Sequence, residues 1–248
     1  LAQFSREKRI DLTIVGPEVP LQNGIVNWFQ SRGLPIFGPT QKAAILETSK
    51  AMAKQIMRRR GIPTADFKIY ADFEDAFDAA PRWQYPCYLK ASGLAGGKGA
   101  YRVDKANHAR FRVAEIMKRH VFGAAGDIIV VEEFIEGIEA SLTAICDEHT
   151  SIMLPPTQDC KRFSEDPEEP NTGGLAAYGP VPFISSDLLF HMKQAIVDNL
   201  FIKDENCGKL SFRGCLYPGI MLNKDGFWVV EYNVRFGDPE AQVLMMLL

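Results

Sequence analysis

A glycine-rich loop between two predicted strands constrains this chain more than any other feature of its sequence. Four of the seven residues in Gly93–Gly99 are glycines, and the apolar run Tyr88–Lys90 comes just before them. Glycine lets successive backbone N–H groups turn toward one anion and approach it closely. Lys98 in the loop and Lys90 at the strand end add positive charge. The pattern predicts a phosphate site, with a plain hairpin loop and a solvent-facing lysine as the alternatives. The loop glycines are Gly93, Gly96, Gly97 and Gly99.

The loop does not match either of two common phosphate-binding motifs. A Walker A loop ending at Lys98 requires glycine at position 92 and serine or threonine at position 99. This chain has Ser92 and Gly99 instead. No G-x-G-x-x-G sequence fits the segment either. The sequence therefore indicates neither a P-loop nor a Rossmann-type dinucleotide site.

The composition is typical of a soluble globular protein and excludes several other classes. Of 248 residues, 46% are hydrophobic and 24% charged, so general disorder is excluded. The net charge of −3 lacks the field of a nucleic-acid or membrane-surface binder. No apolar run approaches the roughly 18–20 residues that span a bilayer. The five cysteines form no C-x-x-C pair, which predicts reduced thiols in a cytoplasmic protein, without zinc or disulfides.

The order of predicted elements indicates a mixed α/β or α+β fold. Asp11–Val15 and Leu34–Phe37 suit strands, with an amphipathic helical stretch between them. This unit has no predecessor in the sequence, so we expect its sheet to begin before Leu1. Further elements follow a break at residues 38–40. They are a helix up to Arg60, a strand from Phe67, a helix from Asp72, strand Pro86–Lys90, helix Ala106–Arg119, strand Ile128–Val131, antiparallel strands over Ala140–Cys146, helix Leu188–Phe201, and a hairpin of Phe212–Leu222 with Phe227–Tyr232.

A polar segment over Pro155–Pro182 is predicted to be one long loop. Loops of that length inside a compact domain are commonly functional. Dense polar side chains stand at both of its ends, and they suit a small zwitterion and a phosphate. A solvated loop without a ligand is the alternative. The candidates are Asp159, Lys161, Arg162, Asn171 and Thr172.

The segment near the C-terminal end predicts a metal site. Glu231, Asn233 and Arg235 lie on one face if residues 230–235 are extended. Carboxylate and amide oxygens are ligands that Mg²⁺ accepts beside nucleotide phosphates. A guanidinium on the same face can grip an anionic transition state with two hydrogen bonds. A solvated strand face is the alternative, but a turn rich in glycine, aspartate and proline follows at once.

Acidic residues end the apolar strand that precedes residue 134. Glu132 and Glu133 close the strand, and Glu139 follows. Such a segment suits a linker whose backbone and carboxylates hydrogen-bond an adenine and a ribose. A simple capped strand end is the alternative.

Taken together, these motifs resemble the glycinamide ribonucleotide synthetase family (phosphoribosylamine–glycine ligases) of the ATP-grasp superfamily. The resemblance covers nearly the whole chain, and its markers occur in order. They are VGPEVPL at 15–21, FGPT at 37–40, SKAMAK at 49–54, KASGLAGGKG at 90–99, FGAAG at 122–126, EEF at 132–134, QDCKR at 158–162, NTGG at 171–174 and EYNVRFGDPEAQ at 231–242.

The resemblance implies an ATP-grasp fold in which two lobes enclose a nucleotide cleft. Residues 1–40 would be part of an N-terminal α/β domain, and residues 41–248 the ATP-grasp domain, with a small lid lobe over about 66–134. The implied ATP-binding residues are Lys50, Lys90, Gly93, Gly96, Gly97, Lys98, Gly99, Glu132, Ile135 and Glu139. The implied Mg²⁺ (or Mn²⁺) ligands are Glu231 and Asn233. Catalysis would involve Arg235, Lys90 and Asp238, and the substrate region Asp159, Lys161, Arg162, Asn171 and Thr172.

The implied reaction is the ATP-dependent ligation of glycine to 5-phosphoribosylamine through glycyl phosphate. No nucleic acid or membrane partner is implied, and the full-length protein can be fused to other purine-pathway domains. Three departures from the family pattern are Gly96 for alanine, Cys160 for histidine, and Leu175-Ala176 for Met-Gly. We expect Ala176 to strain a position with positive φ. Two alternatives stay open: a ligase or carboxylase for another carboxylate, and a truncated or degenerate module that binds nucleotide without catalysis.

Overall fold

The computed structural model describes residues 1–160, 174–201 and 210–248. The strands are β1 Thr13–Ile14, β2 Ile36–Phe37, β3 Phe67–Tyr70, β4 Cys87–Ala91, β5 Ala100–Val103, β6 Ile129–Glu133, β7 Ile138–Ser141, β8 Ala144–Cys146, β9 Ser151–Met153, β10 Gln158–Cys160, β11 Ala176–Tyr178, β12 Gly214–Asn223 and β13 Gly226–Asn233. The α-helices are α1 Ala2–Glu7, α2 Glu18–Gln22, α3 Ile25–Gln30, α4 Ile45–Thr48, α5 Lys50–Arg59, α6 Phe73–Ala79, α7 Ala106–Val113, α8 Ser186–Met192 and α9 Glu240–Leu247. Short 3₁₀ or π turns occupy Ala80–Arg82, Ala114–Lys118, Gly123–Gly126, Lys193–Asp198 and Asn199–Phe201.

The N-terminal unit is a parallel pair of strands joined through two short helices. Thr13 pairs with Ile36, as the predicted strand–helix–strand unit requires. The prediction of one continuous helix is wrong, because the chain breaks at Gly24, whose φ is +75°. Only glycine adopts that conformation without strain. Leu21 and Phe29 are buried on the inner side of the two helices.

Residues 67–133 form a small lobe with its own sheet and core. The antiparallel strand order is β3-β6-β4-β5, with α6 and α7 packed against it. Asp72 begins α6 as predicted, because its carboxylate accepts a hydrogen bond from the backbone N–H of Asp75. One cluster of buried apolar side chains, which includes Leu89, Val113 and Ile116, fills this lobe. The lobe therefore has a hydrophobic core of its own.

A second sheet, together with the helices around it, forms the larger lobe. The strand order is β13-β12-β8-β9, and β7 also pairs with β12. The predicted hairpin is present, with Asn223 opposite Gly226 at the turn. Helix α8 and the turns that continue it to Phe201 pack on this sheet, and Ile196 and Leu200 join its core. This core also takes in apolar residues of α2 to α5, so the N-terminal unit and the larger lobe share one interior.

The polar segment predicted as one long loop contains two strands. β10 pairs with β11 in antiparallel register, and Asp159 lies opposite Ala177. The expected strain at Ala176 is also wrong, because Ala176 is paired strand backbone and its φ is not positive. Both corrections have the same cause. The strands pair through backbone N–H and C=O groups, which the polar composition of the segment does not reveal.

Cys87, Cys146, Cys160 and Cys215 are free cysteines, and Cys160 alone among these four is exposed. Among the helices of the described residues, none combines the length and the apolar character of a membrane span.

We expect Leu89→Ala to destabilise the small lobe by about 2–5 kcal/mol, because it opens a cavity at a fully buried site. Ile152→Ala, at a side chain that is 64% exposed, serves as the control and should change stability little. Guanidinium unfolding followed by tryptophan fluorescence measures both, since Trp83 lies in the same core cluster as Leu89. Equal losses in the two variants would contradict the assignment of this core.

Candidate functional site

A cleft of about 940 Å³ lies between the two lobes and collects most of the predicted site residues. The small lobe contributes β4, β6 and the glycine loop, and the larger lobe contributes α5 and β13. The predicted residues that line the cleft are Lys50, Lys90, Gly96, Gly97, Gly99, Glu132, Ile135, Glu139, Asp159, Glu231, Asn233, Arg235 and Asp238.

Two predicted residues do not line this cleft, and four lie outside the described residues. Gly93 packs beneath the loop, and its backbone N–H donates to the Ala125 carbonyl at 2.9 Å. Lys98 is exposed at the loop tip. The four candidates of the polar segment that fall outside the described residues are Lys161, Arg162, Asn171 and Thr172.

The glycines of the loop serve two different physical purposes. Gly96 and Gly97 have φ values of +58° and +75°, which side chains rarely adopt. Gly93 instead permits close packing, because an added Cβ would lie 2.6 Å from the Cα of Ala125. A Cβ on Gly99 would lie 2.6 Å from the Ala95 Cβ. Gly96 and Gly97 therefore allow the turn of the loop, whereas Gly93 and Gly99 allow close packing at its ends.

A buried group of two lysines and one glutamate, which we call the Lys54–Glu132–Lys90 triad, lies at the base of the cleft. The Glu132 Oε2 atom accepts from the Lys54 Nζ at 2.8 Å and from the Lys90 Nζ at 3.0 Å. Lys54 also donates to the Thr64 hydroxyl at 2.7 Å, and that hydroxyl donates to the Val229 carbonyl. The alternative of a solvent-facing Lys90 is wrong, since only 5% of its side chain is exposed.

The triad shifts the pKa of each of its members. Burial by itself would lower the pKa of Lys90, but the Glu132 and Glu231 carboxylates outweigh it and the pKa is raised. Burial would raise the pKa of Glu132, but Lys90 and Lys54 outweigh it and the pKa is lowered. Burial lowers the pKa of Lys54 to about 8, against the opposing pull of Glu132. Lys90 and Glu132 therefore stay charged at neutral pH, and the triad carries one net positive charge.

Lys50 stands beside the triad at the start of α5. Its Nζ lies 3.3 Å from the Gly93 carbonyl, to which it donates. Burial lowers the pKa of Lys50, and the Glu231 carboxylate acts in the opposite direction. The N-terminus of α5 is capped by Ser49, whose hydroxyl accepts from the backbone N–H of Met52. The cap fixes where this lysine enters the cleft.

Two oxygen-bearing side chains face the cleft from the end of β13. Glu231 and Asn233 both line it, two residues apart on the strand. The Asn233 amide nitrogen donates to the Tyr217 carbonyl at 3.4 Å, so the amide oxygen is the end that a cation would use. Hard oxygen donors of this kind suit Mg²⁺. Arg235 lies beyond the strand, in the bend that follows, rather than on the strand face that the sequence predicted.

Sequence reasoning missed several charged residues of the cleft. Lys54, Glu47 and Glu240 are almost fully buried, and all three line it together with Glu18. Glu240 accepts a short hydrogen bond from the Tyr217 hydroxyl. One available signal was the spacing of Lys50 and Lys54, which places both on one face of a helix. The glutamates had no comparable signal, because their partners are distant in sequence.

Comparison with known proteins gives matches over the whole chain. Family models match the phosphoribosylglycinamide synthetase N domain at residues 1–47 and its ATP-grasp (A) domain at residues 48–241. A trifunctional purine biosynthetic protein adenosine-3 of Homo sapiens is 45% identical over all of this chain, which covers 25% of that protein. A phosphoribosylamine–glycine ligase of Caldanaerobacter subterraneus subsp. tengcongensis is 42% identical, again over all of this chain and 59% of the relative.

A solved structure gives the same result for the fold. The phosphoribosylamine–glycine ligase from Thermotoga maritima superimposes with a TM-score of 0.77 and 32% identity, over 86% of this chain and 54% of that one. The chain thus spans between a quarter and three-fifths of the relatives it matches. The family resemblance and the ATP-grasp fold expected from the sequence are confirmed. The chain belongs to the phosphoribosylglycinamide synthetase family.

Proposed function

We propose that this chain carries the ATP-dependent ligation of glycine to 5-phosphoribosylamine. The observation that carries the proposal is the convergence of Lys50 and Lys90 with Glu231 and Asn233 on one cleft between two lobes. Glycine carboxylate would attack the γ-phosphorus of ATP, which releases ADP and leaves glycyl phosphate. The amine of 5-phosphoribosylamine would then displace phosphate and form the amide of glycinamide ribonucleotide.

The nucleotide would lie against the triad and the glycine loop. Lys50 and Lys90 supply the positive charge that phosphates need, and Gly96 and Gly97 let the loop backbone approach them closely. Glu132 supports this placement, because its buried Oε1 has no hydrogen-bond partner within the described part of the chain. A buried oxygen without a partner is costly, so a ligand donor at that position would stabilise it. Ile135 and Glu139 would complete the adenine and ribose region.

The residues present fit a divalent cation beside the phosphates. Glu231 and Asn233 would hold Mg²⁺, or Mn²⁺, through their side-chain oxygens. When bound, the cation neutralises charge on the transferring phosphoryl group. Arg235 would add a second positive group on the same side, where a guanidinium stabilises the charge that develops in the transition state.

The acceptor substrates would lie beyond the metal. We propose that Asp159 and Asp238, together with Lys161, Arg162, Asn171 and Thr172, surround glycine and the phosphoribosylamine.

The protein does little covalent chemistry in such a scheme. Its tasks are to hold two mutually repelling anions in line and to exclude water, which would hydrolyse the acyl phosphate.

The division into lobes suggests how water is excluded. We propose that residues 1–40 belong to an N-terminal α/β domain and 41–248 to the ATP-grasp domain, with 66–134 as a lid. The separate core of the small lobe supports this division, since a unit with its own core can move as a body. The glycine loop at its edge would close over the nucleotide. We further propose a cytoplasmic location and, in some forms, fusion to other purine-pathway domains.

The direct test measures ADP release with Mg-ATP, glycine and freshly made phosphoribosylamine, leaving out one at a time. Release that needs both substrates supports the ligase. Release without glycine, but with another carboxylate, would point to a different ligase. Binding of Mg-ATP without any release would favour a non-catalytic nucleotide-binding module and refute the proposal.

We expect Glu231→Gln to raise the Mg²⁺ concentration needed for half-maximal activity and to lower turnover by about 10²-fold or more, because a charged metal ligand is lost. Titration of the ADP-release assay with Mg²⁺ measures both effects. Glu136→Gln, at an exposed glutamate of the linker that follows β6, removes the same charge and serves as the control. Unchanged metal dependence in Glu231→Gln would contradict the metal site.

We expect the affinity for Mg-ATP to fall as the pH rises through about 8. Lys54 carries its proton below that pH and loses it above, and Lys90 keeps its own because its pKa is raised. The polyanionic ligand binds best when both lysines are charged, so its Kd rises above the pKa of Lys54. Calorimetric titrations at pH values from about 7 to about 9 measure this dependence.

Lys54→Met isolates the contribution of Lys54 from that of Lys50, whose pKa is also lowered. In this variant the rise in the Kd for Mg-ATP near pH 8 should be absent. Lys68→Met, at an exposed lysine of β3, is the matched control and should retain it. The same rise in Lys54→Met would show that another group titrates.

A further inference from the structure

A buried glutamate that the proposed reaction does not use holds the segment just after β13. Glu47 lies on α4, and 6% of its side chain is exposed. Its Oε2 atom accepts a hydrogen bond from the backbone N–H of Val234 at 2.8 Å. Its Oε1 atom lies 3.1 Å from the Nε of Arg235. One carboxylate therefore contacts the backbone of one residue and the side chain of the next.

A second carboxylate approaches the same guanidinium from a different element. The Oε2 atom of Glu18, at the start of α2, lies 3.2 Å from the Arg235 Nε. The Arg235 Nη1 atom donates to the Phe236 carbonyl at 3.1 Å. The Nε–H of Arg235 makes no hydrogen bond to either carboxylate, so both contacts are ion pairs that depend on charge. Arg235 is thus held by two acids from the N-terminal region and by its own loop.

The energetics make Glu47 the stronger of the two supports. A buried carboxylate is costly unless it is paired and hydrogen-bonded, and Glu47 has both kinds of partner. Burial raises the pKa of Glu47, while Arg235 and the Val234 N–H act to lower it. Glu18 is 28% exposed, so solvent screens its contact more. Arginine stays protonated at all ordinary pH values, which keeps its charge available to both acids.

The location of these contacts connects them to the reaction. Glu47 holds residues 234 and 235, which directly follow Asn233 and precede Asp238. A shift of the chain here would move the metal ligand, the guanidinium and the bend together. Misplacement of a catalytic group by about 1 Å can lower a rate by about 10²-fold.

We propose that Glu47 is a positioning residue that acts through Arg235, with Glu18 as its second support. The carboxylate of Glu47 orients the guanidinium toward the cleft and anchors the end of β13. The inference rests on the proposed function, since the role of Arg235 in the transition state is part of it. Glu47 and Glu18 then determine where that guanidinium points.

A double-mutant cycle tests whether Glu47 acts through Arg235. The variants are Glu47→Gln, Arg235→Gln and both together, assayed for kcat and KM by ADP release. Glutamine keeps an oxygen that can accept from the Val234 N–H, so the backbone contact survives and only the charge is lost. Glu74→Gln, at an exposed glutamate of α6, removes the same charge far from the cleft and is the control.

We expect Glu47→Gln to lower kcat by about 10- to 100-fold and to leave KM for ATP unchanged. In the Arg235→Gln background the same change should have no further effect, because its target is already gone. Losses that multiply in the double variant would show that Glu47 acts independently and would overturn the proposal.

An NMR measurement tests the contact between Glu47 and Arg235 independently of activity. The Nε–H signal of Arg235 in a ¹H–¹⁵N spectrum can be assigned by its loss in Arg235→Lys. It should move in Glu47→Gln, move less in Glu18→Gln, and stay in place in Glu74→Gln. An unmoved signal in Glu47→Gln overturns the proposal. A moved signal in a protein that releases no ADP would refute the proposed function and still support the hold of Glu47 on Arg235.

Discussion

The arrangement of the cleft depends on the Lys54–Glu132–Lys90 triad. Its members come from α5, β6 and β4, so one buried carboxylate joins a helix of the larger lobe to two strands of the small lobe. Lys90 also donates to the Val230 carbonyl of β13. Removing one partner of a buried ion pair typically costs about 3–5 kcal/mol, because the remaining charge is left uncompensated. The three charges therefore hold each other in the cleft, and a net positive charge remains where an anion would bind.

The two hydrophobic cores explain why the cleft lies where it does. The small lobe closes its apolar interior within residues 67–133, and the larger lobe shares its interior with the N-terminal unit. Neither of these two cores extends across the gap between the lobes. The gap is bridged by the charged triad and by a small apolar cluster of Ala51 on α5 with Phe67 and Val130 of the small lobe. This division leaves a cleft that is lined by charged side chains from both lobes.

The region that the N-domain family model matches reaches the cleft through Glu18 and Glu47. The family boundary falls directly after Glu47, yet both acids contact Arg235, which lies nearly two hundred residues further along the ATP-grasp domain. The N domain thus contacts the cleft through charged side chains as well as through shared apolar packing. One buried and one partly exposed carboxylate therefore approach the same guanidinium.

The sequence alone identified several local elements and thirteen of the residues that line the cleft. Periodicity and turn residues indicate the strand–helix–strand unit, the Asp72 cap and the β12–β13 hairpin, because these depend on neighbours within a few positions. The ordered family motifs pointed to Lys50 and Lys90 and to Glu231 and Asn233, all of which line the cleft. Gly96 and Gly97 marked the loop, since a positive φ is a local requirement.

Only the tertiary structure decided which charges are buried and what they contact. The sequence left a surface lysine open as the alternative for Lys90, but Glu132 lies 42 positions away and makes the burial of Lys90 favourable. Glu47 and Glu240 gave no local signal, the helical spacing of Lys54 from Lys50 did not show that Lys54 is buried, and β10 and β11 lay within a polar segment. The physical reason is the same in each case. The free energy of a buried charge, or of a paired strand, depends on a partner that chain folding brings near, and sequence patterns report only local neighbours.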